Sequence, residues 1–146
     1  MVATEAYSGT PLPRKLGLKQ GQVVAFVNLP DSLQGLTIAE EFAHLERQET
    51  WQAIKGKGYD FIHLFTDNAA TVRAALPALR SRIKVAGMIW VSWPKKSSHV
   101  PSDVTEDVIR SAALADILVD VKVCAVDRIW SGLKLVIRKE LRDGPV

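Results

Sequence analysis

The strongest constraint on this chain is the stretch 59–98, which reads as strand, helix, strand and basic loop. The run YDFIHLF at 59–65 is apolar and aromatic, and turn formers follow it. The run MIWVSW at 88–93 is a second such strand, closed by Pro94. Between them, apolar residues recur at the helical positions Val72, Leu76, Leu79 and Ile83. Two buried strands joined by a helix form a right-handed βαβ unit with parallel strands, so we predict an α/β fold.

Three flanking segments extend this sheet. The run QVVAFVN at 22–28 is almost continuously apolar, as in a strand covered on both faces. Residues 117–125 and 133–138 are predicted strands whose short connection makes them antiparallel. N-cap candidates at 102–106 predict a helix that runs to about Ala115. Pro77 predicts a kink or a restart in the helix of the βαβ unit.

The segment 34–58 admits two interpretations. The run TIAE at 37–40 fits a capping box, which favours a helix from Ile38 onward; its end is left open, with a continuation through Trp51 and Ile54 to Lys55 and stop signals at Gly56 and Gly58. The alternative is an irregular edge strand over 44–49. The capping signal makes the helix the preferred prediction.

Length and composition exclude several classes of protein. A chain of 146 residues predicts a lead-in over 1–21 and a single α/β domain over 22–146. Cys124 is the only cysteine, which excludes an intrachain disulfide and favours a reducing compartment. Because the sequence shows no signal peptide and no apolar run of membrane-spanning length, we expect a cytoplasmic protein without a membrane partner. The net charge of +3 is spread along the chain, which disfavours a nucleic-acid partner.

Several runs carry a resemblance to known proteins. ALPALRSRIKVAGMIWVSW resembles the segment after the fourth strand of class I, Rossmann-like methyltransferases. LADILVDVKVCAVDRIWSGLKLVIRK resembles the antiparallel pair that closes their sheets. SGTPLPRKLGLKQGQ, VSWPKKSS, TEDVIR and VDVKVCAVDRIWSGLKLV together resemble a small bacterial family known only as a domain of unknown function. Outside about 34–58, this resemblance implies a reduced methyltransferase-like fold: a mostly parallel sheet, helices on both faces and a C-terminal antiparallel pair. It implies no established activity and no catalytic residues.

The turn after the first strand departs from the methyltransferase pattern. Dinucleotide and S-adenosylmethionine folds place a glycine-rich turn there, so that the backbone can approach the ligand. Here the strand is followed by Leu29, Pro30 and Asp31, with no glycine before Gly35. The sequence also shows no secure acidic residue ending a second strand to hold a ribose. We therefore expect S-adenosylmethionine to bind weakly or not at all, and the cofactor stays unassigned.

The candidate site lies at the carboxyl rim of the parallel strands, where open α/β sheets bind ligands. The loops 28–31, 66–68, 92–98 and 127–131 are expected there. Trp93 and Trp130 would flank one crevice beside Lys95 and Lys96, which suits a small planar or anionic, nucleotide-like ligand. The alternative is that the two indoles pack on each other while both lysines are solvated. The candidate ligand-binding residues are Asn28, Asp31, Thr66, Asn68, Trp93, Lys95, Lys96, Ser97, Asp127 and Trp130.

The histidines and the cysteine are weaker candidates for a catalytic or metal-binding role. His63 alternates with apolar residues in a strand, which favours a core histidine over a base. His44 and His99 lack metal-ligand spacing with each other or with Cys124, whose apolar strand predicts an inert thiol, so no metal is expected. The favoured hypothesis is a methyltransferase-like domain that is non-catalytic or binds a ligand. A homodimer and a partner-binding module are two forms of this hypothesis. The alternatives are a transferase with an atypical cofactor site and, third, a weak nucleic-acid binder.

Overall fold

The computed structural model describes residues 10–142. The strands are β1 Val23–Val27, β2 His44–Gln48, β3 Tyr59–Phe65, β4 Ile83–Pro94, β5 Leu118–Ala125 and β6 Trp130–Ile137. The α-helices are α1 Leu12–Leu16, α2 Ala69–Arg80, α3 Glu106–Ala115 and α4 Lys139–Arg142. Short 3-10 segments cover Asp31–Ile38, Trp51–Ala53 and Lys96–Ser98. None of the described helices combines the length and the apolar character that a membrane crossing requires.

The six strands form one sheet in the order β2-β1-β3-β4-β6-β5. β2, β1, β3 and β4 are parallel, whereas β6 runs antiparallel to both β4 and β5. α2 links β3 to β4, and α3 links β4 to β5. The predicted α/β architecture, mostly parallel with a C-terminal antiparallel pair, is therefore confirmed.

Each face of the sheet carries its own hydrophobic cluster. On the α2–α3 face, the buried residues include Leu64, Leu76, Ile89 and Ile109. On the opposite face, here called the α1 face, α1 and the segment Asp31–Ile38 cover the sheet, and the buried residues include Leu16, Leu33, Phe26, Phe61 and Trp90. Burial on both faces explains the continuous apolar run of β1.

The N-terminal segment is tied to the middle of the sheet by one buried hydrogen bond. Trp90 Nε1 donates to the backbone oxygen of Leu16 at 2.8 Å. Leu16 and Leu18 are both buried in the α1-face cluster. Residues at the end of the predicted lead-in therefore form part of the core.

The preferred helix over 38–55 is wrong, and the alternative edge strand is confirmed. β2 pairs in parallel with β1, from Val23 opposite His44 to Val27 opposite Gln48. Thr37 Oγ1 donates to the backbone oxygen of Gln34 at 2.8 Å, so its hydroxyl does not cap a helix. Strand pairing satisfies the outer backbone groups of β1, and this outweighs the local capping signal.

The remaining element boundaries differ in detail from the sequence predictions. α2 runs through Pro77 without a restart, and its exposed proline is near the end of the helix. Ile83, predicted on the helical stripe, instead opens β4. Thr105 is the N-cap of α3, with its hydroxyl accepting from the Val108 amide at 3.1 Å, as the cap candidates predicted. β6 begins at Trp130, earlier than the predicted 133, and the Val126 amide donates to the Trp130 oxygen at 2.9 Å across the short connecting turn.

Candidate functional site

An open cleft lies at the point where the strand order changes direction. From β1 the chain passes to β2 on one side and to β3 on the other, so the carboxyl ends of β1 and β3 border a topological switch point. The cleft has a volume of about 230 Å³. Its lining residues come from the ends of β1, β2 and β3 and from the start of α2: Val27, Asn28, Glu49, Thr50, Trp51, Gln52, Leu64, Phe65, Thr66 and Thr71.

Asn28 builds the turn after β1 without a glycine. Its φ of 58° lies in the left-handed region, which asparagine tolerates better than most residues. Its backbone amide donates to the oxygen of Gln48 at 2.8 Å, and its side-chain Nδ2 donates to the oxygen of Phe65 at 3.1 Å. A side chain therefore bridges the ends of β1 and β3, where a glycine turn would leave the backbone open to a ligand.

The loop after β3 supplies the wall of the cleft and the start of α2. Thr66 is buried, and its Oγ1 accepts from the backbone amide of Asn68 at 3.1 Å. Asn68 Oδ1 caps α2 by accepting from the Thr71 amide at 2.9 Å. Thr66 lines the cleft, whereas the side-chain oxygen of Asn68 is used within the helix cap.

Glu49 is a cleft residue that the sequence analysis missed. β2 ends at Gln48, so Glu49 directly follows the second parallel strand and lines the cleft beside Trp51. Within this lining, Glu49 is the residue that carries a charge. The one sequence signal for Glu49 was the alternative edge strand over 44–49. That alternative ends the strand at Glu49.

The structure does not bring the two tryptophans together. Trp93 packs on the α2–α3 face, whereas Trp130 packs on the α1 face with its ring edge-on to Phe65 at 5.3 Å. The expected common crevice is wrong, and so is the alternative in which the two rings pack on each other. The cause is that Trp93 is paired with Ser131 and Pro94 with Trp130, so the two indoles point to opposite sides.

The other candidate residues lie away from the cleft lining. Lys95 is half-buried, while Lys96 and Ser97 are exposed on the loop after β4. Asp127 Oδ1 accepts from the amides of Ile129 and Trp130 at 2.9 and 2.7 Å, which holds the β5–β6 turn. Asp31 is exposed, and its Oδ1 accepts from Gln34 Nε2 at 3.3 Å. Ligand binding by these residues stays a prediction.

His63 is a core histidine, as predicted. It is fully buried, its ring stacks on Phe65 at 4.1 Å, and its Nε2 lies 2.7 Å from Ser92 Oγ. Burial lowers the pKa of His63 to about 3, so the ring is neutral and shielded from any ligand in the cleft.

Cys124 and the potential metal ligands were also located in the described residues. Cys124 is buried, and burial raises the pKa of its thiol above the ordinary value. Across residues 10–142, no three His, Cys, Asp or Glu side chains cluster in a way that could hold a metal ion.

Comparisons with known proteins find the fold but no family. No protein-family model matches the chain, and no curated protein sequence matches it. A methyltransferase of magnesium protoporphyrin IX from Synechocystis PCC 6803, solved with bound SAM, has a TM-score of 0.61 at 15% identity, with 93% of this chain and 76% of that chain covered. The ribosomal protein L11 methylase of Lactobacillus delbrueckii subsp. bulgaricus has a TM-score of 0.55 at 14% identity, with 87% and 75% covered.

A third similar structure is even closer to this chain in length. A TehB-like SAM-dependent methyltransferase from Corynebacterium glutamicum has a TM-score of 0.54 at 9% identity, covering 93% of this chain and 94% of that one. At such identities the likeness shows the fold alone. It confirms the resemblance noted in the sequence at that level: the chain has a methyltransferase-like Rossmann fold.

Proposed function

We propose that this chain is a ligand-binding methyltransferase-like domain that does not transfer methyl groups. Its ligand is small, planar and hydroxyl-bearing, of nucleoside size, and occupies the cleft between the ends of β1 and β3. The observation that carries the proposal is the cleft lining, in which Glu49 and Trp51 lie beside an Asn28 side chain that bridges the two strands.

The size of the cleft favours a small ligand. Pockets for drug-sized ligands enclose about 300–1,000 Å³, whereas this cleft has about 230 Å³. The Asn28 amide takes up space at the switch point, where methyltransferase folds bring a glycine backbone to the cofactor. A nucleoside fits these limits better than S-adenosylmethionine does.

The chemistry of the cleft favours an uncharged or cationic ligand. The Glu49 carboxylate can accept hydrogen bonds from ligand hydroxyls, and it repels phosphate. The half-buried Trp51 indole offers an apolar wall for a planar ring. An anionic ligand at Lys95 and Lys96 would need a separate site on the rim. We therefore rank an anionic ligand below an uncharged or cationic ligand in the cleft.

A transferase with an atypical cofactor site is the second candidate. It is favoured by Glu49 itself, because an acidic residue after the second parallel strand is suited to a ribose hydroxyl. Two observations disfavour the transferase: the turn after β1 has no glycine, and His63 is fully buried. Under either reading we place the protein in the cytoplasm, and a homodimer stays a proposal.

The test is a thermal-shift and calorimetric screen with adenosine, AMP, S-adenosylmethionine and S-adenosylhomocysteine. We expect adenosine to raise the unfolding temperature more than AMP, since binding to the folded state stabilises it by mass action. Glu49→Gln should weaken adenosine binding, while Glu40→Gln, an exposed glutamate outside the cleft, should not. Micromolar binding of S-adenosylmethionine corresponds to a binding free energy of about 8 kcal/mol. Such binding would reject the proposal in favour of the transferase. No shift with adenosine at millimolar concentration would reject both the ligand and the cleft.

A further inference from the structure

Two lysines face each other in the antiparallel part of the sheet. Lys122 of β5 is the register partner of Lys134 of β6. Directly opposite residues have Cβ atoms about 5 Å apart on one face of the sheet, where two like charges destabilise the pair. Both project on the α1 face, because Cys124, two residues after Lys122, is buried in the α1-face cluster.

Two more lysines from the N-terminal segment approach the same place. Burial lowers the pKa of Lys134, and the charges of Lys122 and Lys19 lower it further. The charges of Lys15, on α1, and Lys122 both act on the Cys124 thiol. Four ammonium groups, of Lys15, Lys19, Lys122 and Lys134, therefore surround one area of the α1 face, here called the lysine surface.

No carboxylate in the described part of the chain neutralises the lysine surface. The basic partners in the described ion pairs of residues 10–142 are His44, Arg80, Lys84 and Arg110, and none of these four lysines. The lysine surface also shares no residue with the cleft lining. A concentration of like charge without internal partners attracts an external polyanion.

We propose that the lysine surface binds the phosphate backbone of a nucleic acid, independently of base sequence. Lysine ammonium groups bind phosphates as point charges and release the condensed counterions of the polymer. Recognition of protein carboxylates would favour the planar fork of arginine, and all four groups here are lysines. Insertion into a membrane surface uses free apolar side chains; Leu16, Cys124 and Val126 on this face are buried, whereas Val121 and Val123 are exposed, so a lipid surface is the alternative that the test includes.

Fluorescence anisotropy with a labelled 20-nucleotide single-stranded RNA tests this binding. With four phosphate contacts, affinity should fall about 50-fold between 50 and 200 mM salt, from a slope of about 0.7 per contact. Lys122→Gln/Lys134→Gln should weaken binding at 50 mM salt and reduce the salt effect to about 7-fold. Lys95→Gln/Lys96→Gln removes the same net charge from the loop after β4, and it should leave both quantities nearly unchanged.

Three results would overturn the proposal. The first is an equal loss of RNA affinity in the control variant, which would show that only net charge matters. The second is an unchanged salt slope in the Lys122/Lys134 variant. The third is binding to vesicles of 30% phosphatidylserine without binding to RNA, which would identify a lipid surface instead. If substitution in the strands prevents folding, Lys15→Gln/Lys19→Gln tests the same surface from α1 and the residues after it, with the same expected loss.

Discussion

The side-chain amide of Asn28 donates a hydrogen bond to the backbone oxygen of Phe65 at 3.1 Å, joining the carboxyl ends of β1 and β3. The same residue adopts a φ of 58°. One asparagine thus makes the turn that glycine makes in cofactor-binding relatives of this fold, and its side chain occupies space that a glycine would leave to the ligand. The Asn28 side chain therefore forms part of the cleft lining at the carboxyl ends of β1 and β3.

Asn28→Gly and Asn28→Ala should separate these two roles. Glycine adopts the positive φ freely but loses the hydrogen bond, so the free energy of unfolding should fall by about 1 kcal/mol. Alanine loses the same bond and must also hold the left-handed conformation, which costs about 1 kcal/mol more. Urea denaturation measures both values. An alanine variant as stable as the glycine variant would show that the backbone conformation contributes no strain.

His63 should make stability depend on pH in the acid range. The pKa of His63 is about 3 in the folded chain and near 6.5 when unfolded, because burial disfavours the charged ring. Between these values the unfolded chain takes up a proton that the folded chain refuses. The free energy of unfolding is therefore highest above pH 6.5 and falls toward pH 3, by about 1.4 kcal/mol per pH unit. His63→Gln should remove this slope from urea denaturation at pH 4–7.

The control for the acid range is His99→Asn, a change at an exposed histidine whose backbone is left-handed, which asparagine tolerates. It should leave the pH dependence unaltered. If His63→Gln retains the full acid slope, the loss of stability arises from other groups.

Tyr59 should stabilise the fold until alkaline pH. Its hydroxyl donates to the Glu46 carboxylate, and burial together with this bond raises the pKa of Tyr59 from 10.0 to about 12. Tyr59→Phe should lower the free energy of unfolding by about 1.5 kcal/mol at pH 7. This difference is fully present below pH 10 and should shrink as the pH rises toward 12. Chemical denaturation at pH 7, 9 and 11 measures it, and a difference that grows with pH would contradict the assignment.

Lys122→Glu should raise stability while it abolishes most nucleic-acid binding. The substitution replaces a like-charge pair with an opposite-charge pair across β5 and β6, worth about 0.2–1 kcal/mol. Thermal unfolding and RNA anisotropy should therefore move in opposite directions. Lys96→Glu changes the same charge on an exposed loop and should alter neither measurement much. A less stable Lys122→Glu variant would show that Lys122 and Lys134 do not repel each other.

The sheet could be predicted where burial dictates the pattern. β1, β3 and the second half of β4 are buried on both faces, and their apolar runs leave few alternatives. β2 is different, because its residues His44, Leu45 and Arg47 are exposed at the edge of the sheet. An edge strand of this kind carries almost no hydrophobic signal, so the local capping motif at 37–40 decided the prediction. Because this segment was predicted as a helix, Glu49, which directly follows β2, was missed as a cleft residue.

The expected crevice between Trp93 and Trp130 is wrong because of the strand register. The loops that carry Trp93 and Trp130 do meet at one rim, since Pro94 and Trp130 are paired. Side chains alternate between faces along a strand, and a pairing shifted by one residue would have placed both indoles on the same side. That register depends on the turn that Asp127 stabilises with two hydrogen bonds. No pattern in the sequence predicts these hydrogen bonds.

The hydrogen bond from Trp90 to Leu16 also sets an order of events during protein synthesis. The two residues are 74 positions apart, so the amino-terminal segment leaves the ribosome long before its indole partner exists. At about 5–20 residues per second, the wait is about 4 to 15 s. For that time Leu16 and Leu18, which end in the core, have no sheet to cover them, and the nascent chain presents them to chaperones or to other unfinished chains.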